Sequence, residues 1–265
     1  MAKRITMGKS GLVKIFGFPA TLIHGDPLVW DRWRWLKKHL PPTRNGEDLI
    51  DFGSGTGAFT IGSARRGYTA LGLSWDERNQ RVASERAAIC NTNNVDFEVL
   101  DLRQLHSRQD LQNNYDIAIC LEVFEHILDD QKLMTDIARC LKPGGRIFLT
   151  TPNYHNHAIT KDDDGPYSKM EDGGHVRRGY TPEMLRELCN NAGLRVEEID
   201  YCSGWFSQKL TALMRTLGKL HPLIGWLSIL PLRILPPMLD SAIAKFFGWP
   251  GFSITLEAYK PRYQD

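Results

Sequence analysis

No CxxC pair occurs. The five cysteines, Cys90, Cys120, Cys140, Cys189 and Cys202, are odd in number and far apart. That excludes a zinc ribbon or a dithiol redox centre and points to free thiols in a reducing compartment. Long apolar runs are also lacking. Leu220–Leu232, an uncharged run of about 13 residues with two prolines, falls short of the about 20 that a spanning helix needs. Neither charge is in surplus: 33 basic against 31 acidic side chains leave +2 over 265 residues, with no dense Lys/Arg block. Nucleic acid is therefore not an expected partner. Internal repeats and low-complexity linkers are absent as well. The segment up to Gly25 carries Lys3, Arg4, Lys9 and Lys14 with no acid, but Gly17 and Pro19 interrupt its apolar part. A secretory signal is not expected there, so the expected location is cytoplasmic, with contact at a membrane surface left open.

What is present is ordinary globular material, 42% hydrophobic and 24% charged, long enough for one large α/β domain with an insertion. Asp26-Pro27 opens a helix that Leu40-Pro41-Pro42 closes, with Val29, Trp30, Trp33, Leu36 and Leu40 on one stripe. From there strands and helices alternate. Strands are expected at Asp48–Phe52, Thr69–Ser74, Val95–Leu100, Tyr115–Leu121 and Arg146–Thr151, and helices at Phe59–Arg66, Asp76–Cys90 and Asp129–Leu141. A less defined helix follows Arg103. Such alternation argues for a parallel sheet covered on both faces. After Thr151 the chain becomes polar, and a long loop at that end of a strand is usually functional. A helix from Thr181-Pro182, a strand at Arg195–Tyr201 and a last strand at Phe252–Lys260 complete the pattern. The expected organisation is an N-terminal helical cap over 1–44, a core over 45–203, a hydrophobic helical insertion over 204–251, and the last strand and tail over 252–265.

The densest signal is Leu49-Ile-Asp-Phe-Gly-Ser-Gly-Thr-Gly-Ala-Phe59, where Gly53, Gly55 and Gly57 leave a strand and open a helix. Without Cβ atoms they let the backbone turn tightly and approach a ligand closely. The loose GxGxxA form of a dinucleotide site also fits, so an NAD-linked oxidoreductase is one reading. Against it stand Asp51 two residues before the first glycine, the strict GxGxG alternation, and a chain that closes on a strand pair rather than a second nucleotide half.

Asp51-Phe-Gly-Ser-Gly-Thr-Gly57 resembles the first motif of the class I S-adenosylmethionine-dependent methyltransferases. Asp101-Leu102 after the third strand, Asp116-Ile-Ala-Ile-Cys-Leu-Glu122 with Glu125-His126 at the fourth, and Leu141-Lys-Pro-Gly-Gly145 before the fifth extend the likeness over about residues 45 to 200. Glu125-His126 and His175-Val-Arg-Arg-Gly-Tyr-Thr181 look most like the branch that includes quinone-biosynthesis O-methyltransferases. The resemblance implies a three-layer, Rossmann-like α/β fold. Its seven-stranded sheet would have an antiparallel last strand, with S-adenosylmethionine as cofactor over the strand C-termini. It further implies that Gly53, Ser54, Gly55, Thr56 and Gly57 line the methionine portion, and that Asp51 orders the loop or meets the amino group. Asp101 would accept from the adenine amino group with Leu102 against the ring, and Leu121 and Glu122 would lie near the methionine. The chain departs from the family at the end of the second strand, where Ser74 replaces the usual ribose-binding acid, with Trp75 and Asp76 next. Ser74 can make one ribose hydrogen bond and Trp75 can cover the adenine, while Asp76 either reaches back or caps the next helix. Cyclopropane fatty acid synthases also lack that acid, which keeps carbon methylation of a lipid as an alternative.

Methyl transfer to oxygen requires aligned reactants and a group to take the proton. His175, in the long polar segment, is the first candidate base, followed by His126 with Glu125 beside it. No metal-ligand spacing is recognised; Asp162-Asp-Asp164 reads as a solvated loop. The insertion carries Trp205, Phe206, Trp226, Phe246, Phe247 and Trp249, and reads as a lid over a greasy acceptor, a homodimer face, a membrane-surface patch or a small core. The leading expectation is a methyltransferase acting on an oxygen of a small or lipid-like metabolite. A non-catalytic cofactor-binding module remains a further alternative.

Overall fold

The computed structural model describes residues 8–23, 25–233 and 236–262; part of the basic N-terminal segment lies outside them. Three helices lead in, α1 (Gly8–Phe16), α2 (Pro19–Ile23) and α3 (Pro27–His39). They are followed by β1 (Asp48–Phe52), α4 (Ala58–Ala64), β2 (Thr69–Ser74), α5 (Glu77–Ile89), β3 (Val95–Val99), β4 (Tyr115–Leu121), α6 (Asp130–Cys140) and β5 (Leu141–Pro152). The chain ends with α7 (Pro182–Asn191), β6 (Arg195–Cys202), α8 (Trp205–Gly218), α9 (Pro222–Ser228), α10 (Pro236–Phe247) and β7 (Ser253–Tyr259).

The strands form one seven-stranded sheet in the order β3-β2-β1-β4-β5-β7-β6, with β7 antiparallel to both neighbours and the other pairings parallel. Strand side chains alternate between faces. Along β4, Ile117, Ile119 and Leu121 join Trp33 and Leu36 of α3 and Leu40 at its C-terminal cap, while Ala118 and Cys120 join Leu133 and Ile137 of α6 and Leu185 of α7. Burial on both faces explains why Tyr115–Leu121 reads as almost continuously apolar.

Several local expectations change in detail. Asp26 stands at the N-cap position of α3, but its side chain makes no capping bond and lies 3.6 Å from Arg215 of α8. Leu141 begins β5, opposite Tyr115, rather than ending α6. Beside it Lys142 Nζ reaches Asp48 at 3.0 Å and Asp116 at 2.8 Å, so a strand start is fastened by charge where the Pro-Gly-Gly sequence suggests a simple break. The residues after Arg103 form 3-10 turns over Leu102–Ser107 and Gln109–Leu111. The five cysteines are unbridged, and four of them are buried. Among the described residues no helix is long and apolar enough to cross a membrane.

Candidate active site

The C-terminal ends of β1 to β4 converge on a cavity of about 420 Å³, within the range typical of small-molecule sites. Its floor is the glycine turn. Gly53 has φ +89°, and a Cβ there would stand 2.3 Å from Val123 Cγ2, so the alternation is demanded by packing as well as by backbone conformation. At Gly55, φ +53°, a Cβ would meet nothing nearer than the Gly53 carbonyl oxygen at 4.0 Å. From β2 come Ser74 and Trp75, from the start of α5 Asn79, and from the turn after β3 Asp101, Leu102 and Arg103. The exit of β4 supplies Glu122, Val123, His126 and Ile127. The polar segment after β5 closes the cavity with Glu171, Asp172 and Gly173.

Glu122 is held unusually firmly. Its backbone takes the left-handed conformation at φ +56°, which costs of order 1–3 kcal/mol in a non-glycine residue. Its carboxylate accepts from the buried Arg32 at 2.8 Å, from Thr150 Oγ1 at 2.9 Å and from Ser253 Oγ at 3.0 Å. Asp101 caps the following turn, accepting from Arg103 N at 3.0 Å, and is clasped by the Arg103 guanidinium, whose hydrogen bonds keep its pKa below the usual carboxylate range. Asp76 is settled as a cap: it accepts from Arg78 N at 2.8 Å at the head of α5, and Ser74 remains as the polar side chain at the end of β2.

Five residues expected at the cofactor do not line this cavity. Asp51 is buried and accepts from Thr60 Oγ1 at 2.6 Å, and burial pushes its pKa up to about 7. It therefore braces the start of α4 beneath the glycine turn. Ser54 Oγ lies 3.4 Å from Gln80 Oε1. Thr56 accepts from Arg86 at 2.7 Å, and Gly57 precedes α4 where a Cβ would meet Ala83 and Phe97 at 2.8 Å. Leu121 packs into the core on the α3 side. Conversely, Asn79, Val123, Ile127 and the Glu171–Gly173 roof have no counterpart among the sequence expectations. Asn79 is within reach of sequence reasoning, because a residue in the first turn of a helix that follows a binding strand faces the strand end. The roof belongs to the long polar segment already expected to be functional, but which of its residues reach the cavity depends on long-range packing.

Beside the cavity the structure brings Glu125, His126 and His175 together. The two imidazoles cross edge to face with centroids 4.8 Å apart, and His126 Nε2 lies 3.9 Å from Glu125 Oε1. His126 Nδ1 is 3.0 Å from the Gly174 carbonyl, which can only accept, so Nδ1 carries the proton. Burial, reinforced by the Glu122 charge, raises the Glu125 pKa well above the carboxylate range. Burial and then His126 lower the His175 pKa, favouring a neutral ring near pH 7. The ligand atoms of these three residues fall within 4.8 Å of one another, close enough to hold a cation, a set that no sequence spacing reveals. A second cavity of about 840 Å³ opens between α3, the end of β6 and α10, and shares no lining residue with the first.

The donor set separates the two cofactor chemistries. Four carboxylates line the smaller cavity, and Arg103, the one Lys or Arg lining it among the described residues, is engaged by Asp101 and Glu171. That surface suits a cationic sulfonium and an ammonium, and repels a pyrophosphate.

The sheet order and the reversed last strand, with a glycine-floored, acid-lined cavity over the strand ends, are those of the class I S-adenosylmethionine-dependent methyltransferase fold. The profile of a family described as a methyltransferase domain matches residues 28–199, and the chain belongs to that family. Among curated proteins it is similar to the ubiquinone biosynthesis O-methyltransferase of Acinetobacter baylyi, 30% identical over 122 residues that cover 46% of this chain and 50% of that protein. The enzyme of the same name from Albidiferax ferrireducens is 30% identical over 122 residues, 46% of this chain and 47% of that one. The chain thus spans about half the length of these relatives. Among solved structures, an S-adenosylmethionine-dependent methyltransferase from Mesorhizobium loti superposes with a TM-score of 0.56 at 19% identity, covering 89% of this chain and 99% of that one. The [4+2]-cyclase SpnF gives 0.60 at 20%, covering 88% and 81%. These two likenesses establish the fold and leave the reaction to the site.

Proposed function

We propose that the protein transfers a methyl group from S-adenosylmethionine to an oxygen of a small or lipid-like metabolite, with the donor in the cavity above β1–β4. The carrying observation is the acid-lined, glycine-floored cavity placed against a half-buried histidine pair. Bound there, the cofactor supplies an electrophilic methyl carbon on a cationic sulfur. Gly53 and Gly55 leave the floor bare for close approach, and Glu122, fixed by Arg32, Thr150 and Ser253, presents its carboxylate to an amino group. Asp101 and Leu102 provide an acceptor and an apolar wall for an adenine, Ser74 a hydroxyl for the ribose, and Trp75 an exposed ring opposite Gly173. His175 takes the acceptor's proton; His126, pinned by Gly174, positions it. The O-methyltransferase names of the curated relatives favour oxygen as the acceptor atom. Carbon methylation of a lipid is the second reading, favoured by Ser74 in the place of a ribose-binding acid.

Calorimetry with S-adenosylhomocysteine and with NAD tests the donor: binding of the first and none of the second is expected, and the reverse would overturn the assignment. Incubation with labelled S-adenosylmethionine and cell extract, followed by mass spectrometry of the labelled product, tests the acceptor. A methyl group found on carbon would replace the oxygen reading.

A further inference from the structure

The insertion between β6 and β7 turns apolar side chains outward. Leu239, Ala242 and Phe246 of α10 recur at spacings of three and four and are all exposed, Phe246 to 84%. On α9, Leu223, Ile224 and Leu227 are exposed as well. The orientation of α9 is fixed rather than incidental. A Cβ on its Gly225 would lie 2.4 Å from the Met214 carbonyl of α8, so the two backbones are in contact. Trp226 Nε1 donates to the Ile23 carbonyl at 2.9 Å, and Arg233 Nη1 donates to the Gly25 carbonyl at 2.7 Å. With Gly225 and Trp226 turned inward, the remaining residues of a short helix must face out. The same α2 shoulder carries α1, whose end exposes Ile15 and Phe16.

Charge decides what covers this face. From 205 to 251 the sequence holds Lys209, Arg215, Lys219, Arg233 and Lys245 against a single acid, Asp240. Asp240 is buried and accepts from Phe206 N at 2.7 Å and from Ser207 N at 3.3 Å, so it adds no negative charge to the surface. Arg233 is likewise buried and Arg215 is paired with Asp26 and Asp163, which leaves Lys209 and Lys219 as the exposed cations among the described side chains of the insertion. A face between two copies of the chain would bring these like charges together, whereas an anionic bilayer accepts both the apolar side chains and the lysines. We propose that this face docks the protein on an anionic phospholipid bilayer. The inference stands apart from the methyltransferase reading, although Arg215 of α8 joins Asp163 of the polar segment at 3.0 Å, so the docked helices touch the segment that carries His175.

The test is sedimentation of the full chain with vesicles of phosphatidylcholine, with and without phosphatidylglycerol. Binding at low salt is expected to be about tenfold or more tighter to the anionic vesicles. The pair Leu223→Ser and Phe246→Ser should weaken it by about tenfold or more while leaving S-adenosylhomocysteine affinity and melting unchanged. Should that pair fail to melt cooperatively, Lys219→Glu gives the same reading through charge alone. No binding at low salt, or equal binding to neutral vesicles, would overturn the proposal. So would a wild-type dimer that the serine pair converts to monomer, which would assign the face to a second copy.

Discussion

Gly53 meets two demands at once, a left-handed backbone and a side chain of no size beneath Val123. Gly53→Ala should therefore fold with the loop displaced and lower kcat/KM by about 100-fold, a 1 Å misplacement being enough to cost that factor in rate; steady-state kinetics reads it. His175 is the second residue with a sharp expectation. Its pKa is lowered, so the neutral, proton-accepting form persists below the ordinary imidazole value of about 6.5. The acidic limb of kcat/KM should fall under that value, and His126→Asn, which removes one of the lowering influences, should move the limb upward. His175→Ala should lower kcat by about 10² to 10⁴; unchanged turnover would reject it as the base. The glycine turn was legible in the sequence because it is tied to a strand end, whereas Asp26, read as a cap, makes no capping bond. The pairing of His126 with His175 was not legible, since 48 residues separate His126 from the carbonyl that orients it.

At the scale of elements, the polar segment after β5 is tied to the exit of β4 by a small set of bonds. Arg177 pairs with Asp130 and donates to the carbonyls of Ile127 at 2.7 Å and Leu128 at 2.9 Å, while Val176 N donates to Glu125 O at 2.8 Å. Through this fastening Glu171–Gly173 roofs the cavity. Arg177→Ala should loosen the roof, weakening S-adenosylhomocysteine binding by about tenfold with a shift in melting temperature of a few degrees, read by calorimetry and thermal melting. Arg32 links α3 to β4 in the same way, but from a buried position. Arg32→Ala strands the Glu122 carboxylate and should cost about 3–5 kcal/mol in denaturant unfolding. The strands and principal helices followed from apolar periodicity and caps. The roof did not, because its order comes from ion pairs between segments that no local pattern connects.

For the molecule as a whole, buried acids set the response to pH. Asp51 and Asp31 are both raised to about 7 by burial. A raised carboxyl binds its proton more tightly in the folded than in the unfolded chain, so its contribution is fully present near pH 4 and is lost as pH climbs toward 7. Asp51→Asn keeps an oxygen for Thr60 and carries no charge. It should match the wild type near pH 4 and exceed its stability by several kcal/mol above pH 7, since every tenfold gain in proton affinity on folding is worth about 1.4 kcal/mol; chemical denaturation across that range checks the sign. The α/β class was evident from alternation, while the seven-stranded sheet with its antiparallel last strand was implied by the family resemblance. The outward-facing insertion remained open among four readings because composition gives apolar content but not the direction in which it points.

β7 lies between β5 and β6, yet it is made after both. A nascent chain released from the ribosome only as far as α10 therefore holds β5 and β6 with bare edges and a gap one strand wide between them. Until residues 253–259 emerge, any extended peptide of matching pattern can slip into that slot. The sheet is closed last at this seam, so synthesis of this protein carries an interval during which a chaperone, or an unwanted neighbour, can occupy the place of β7.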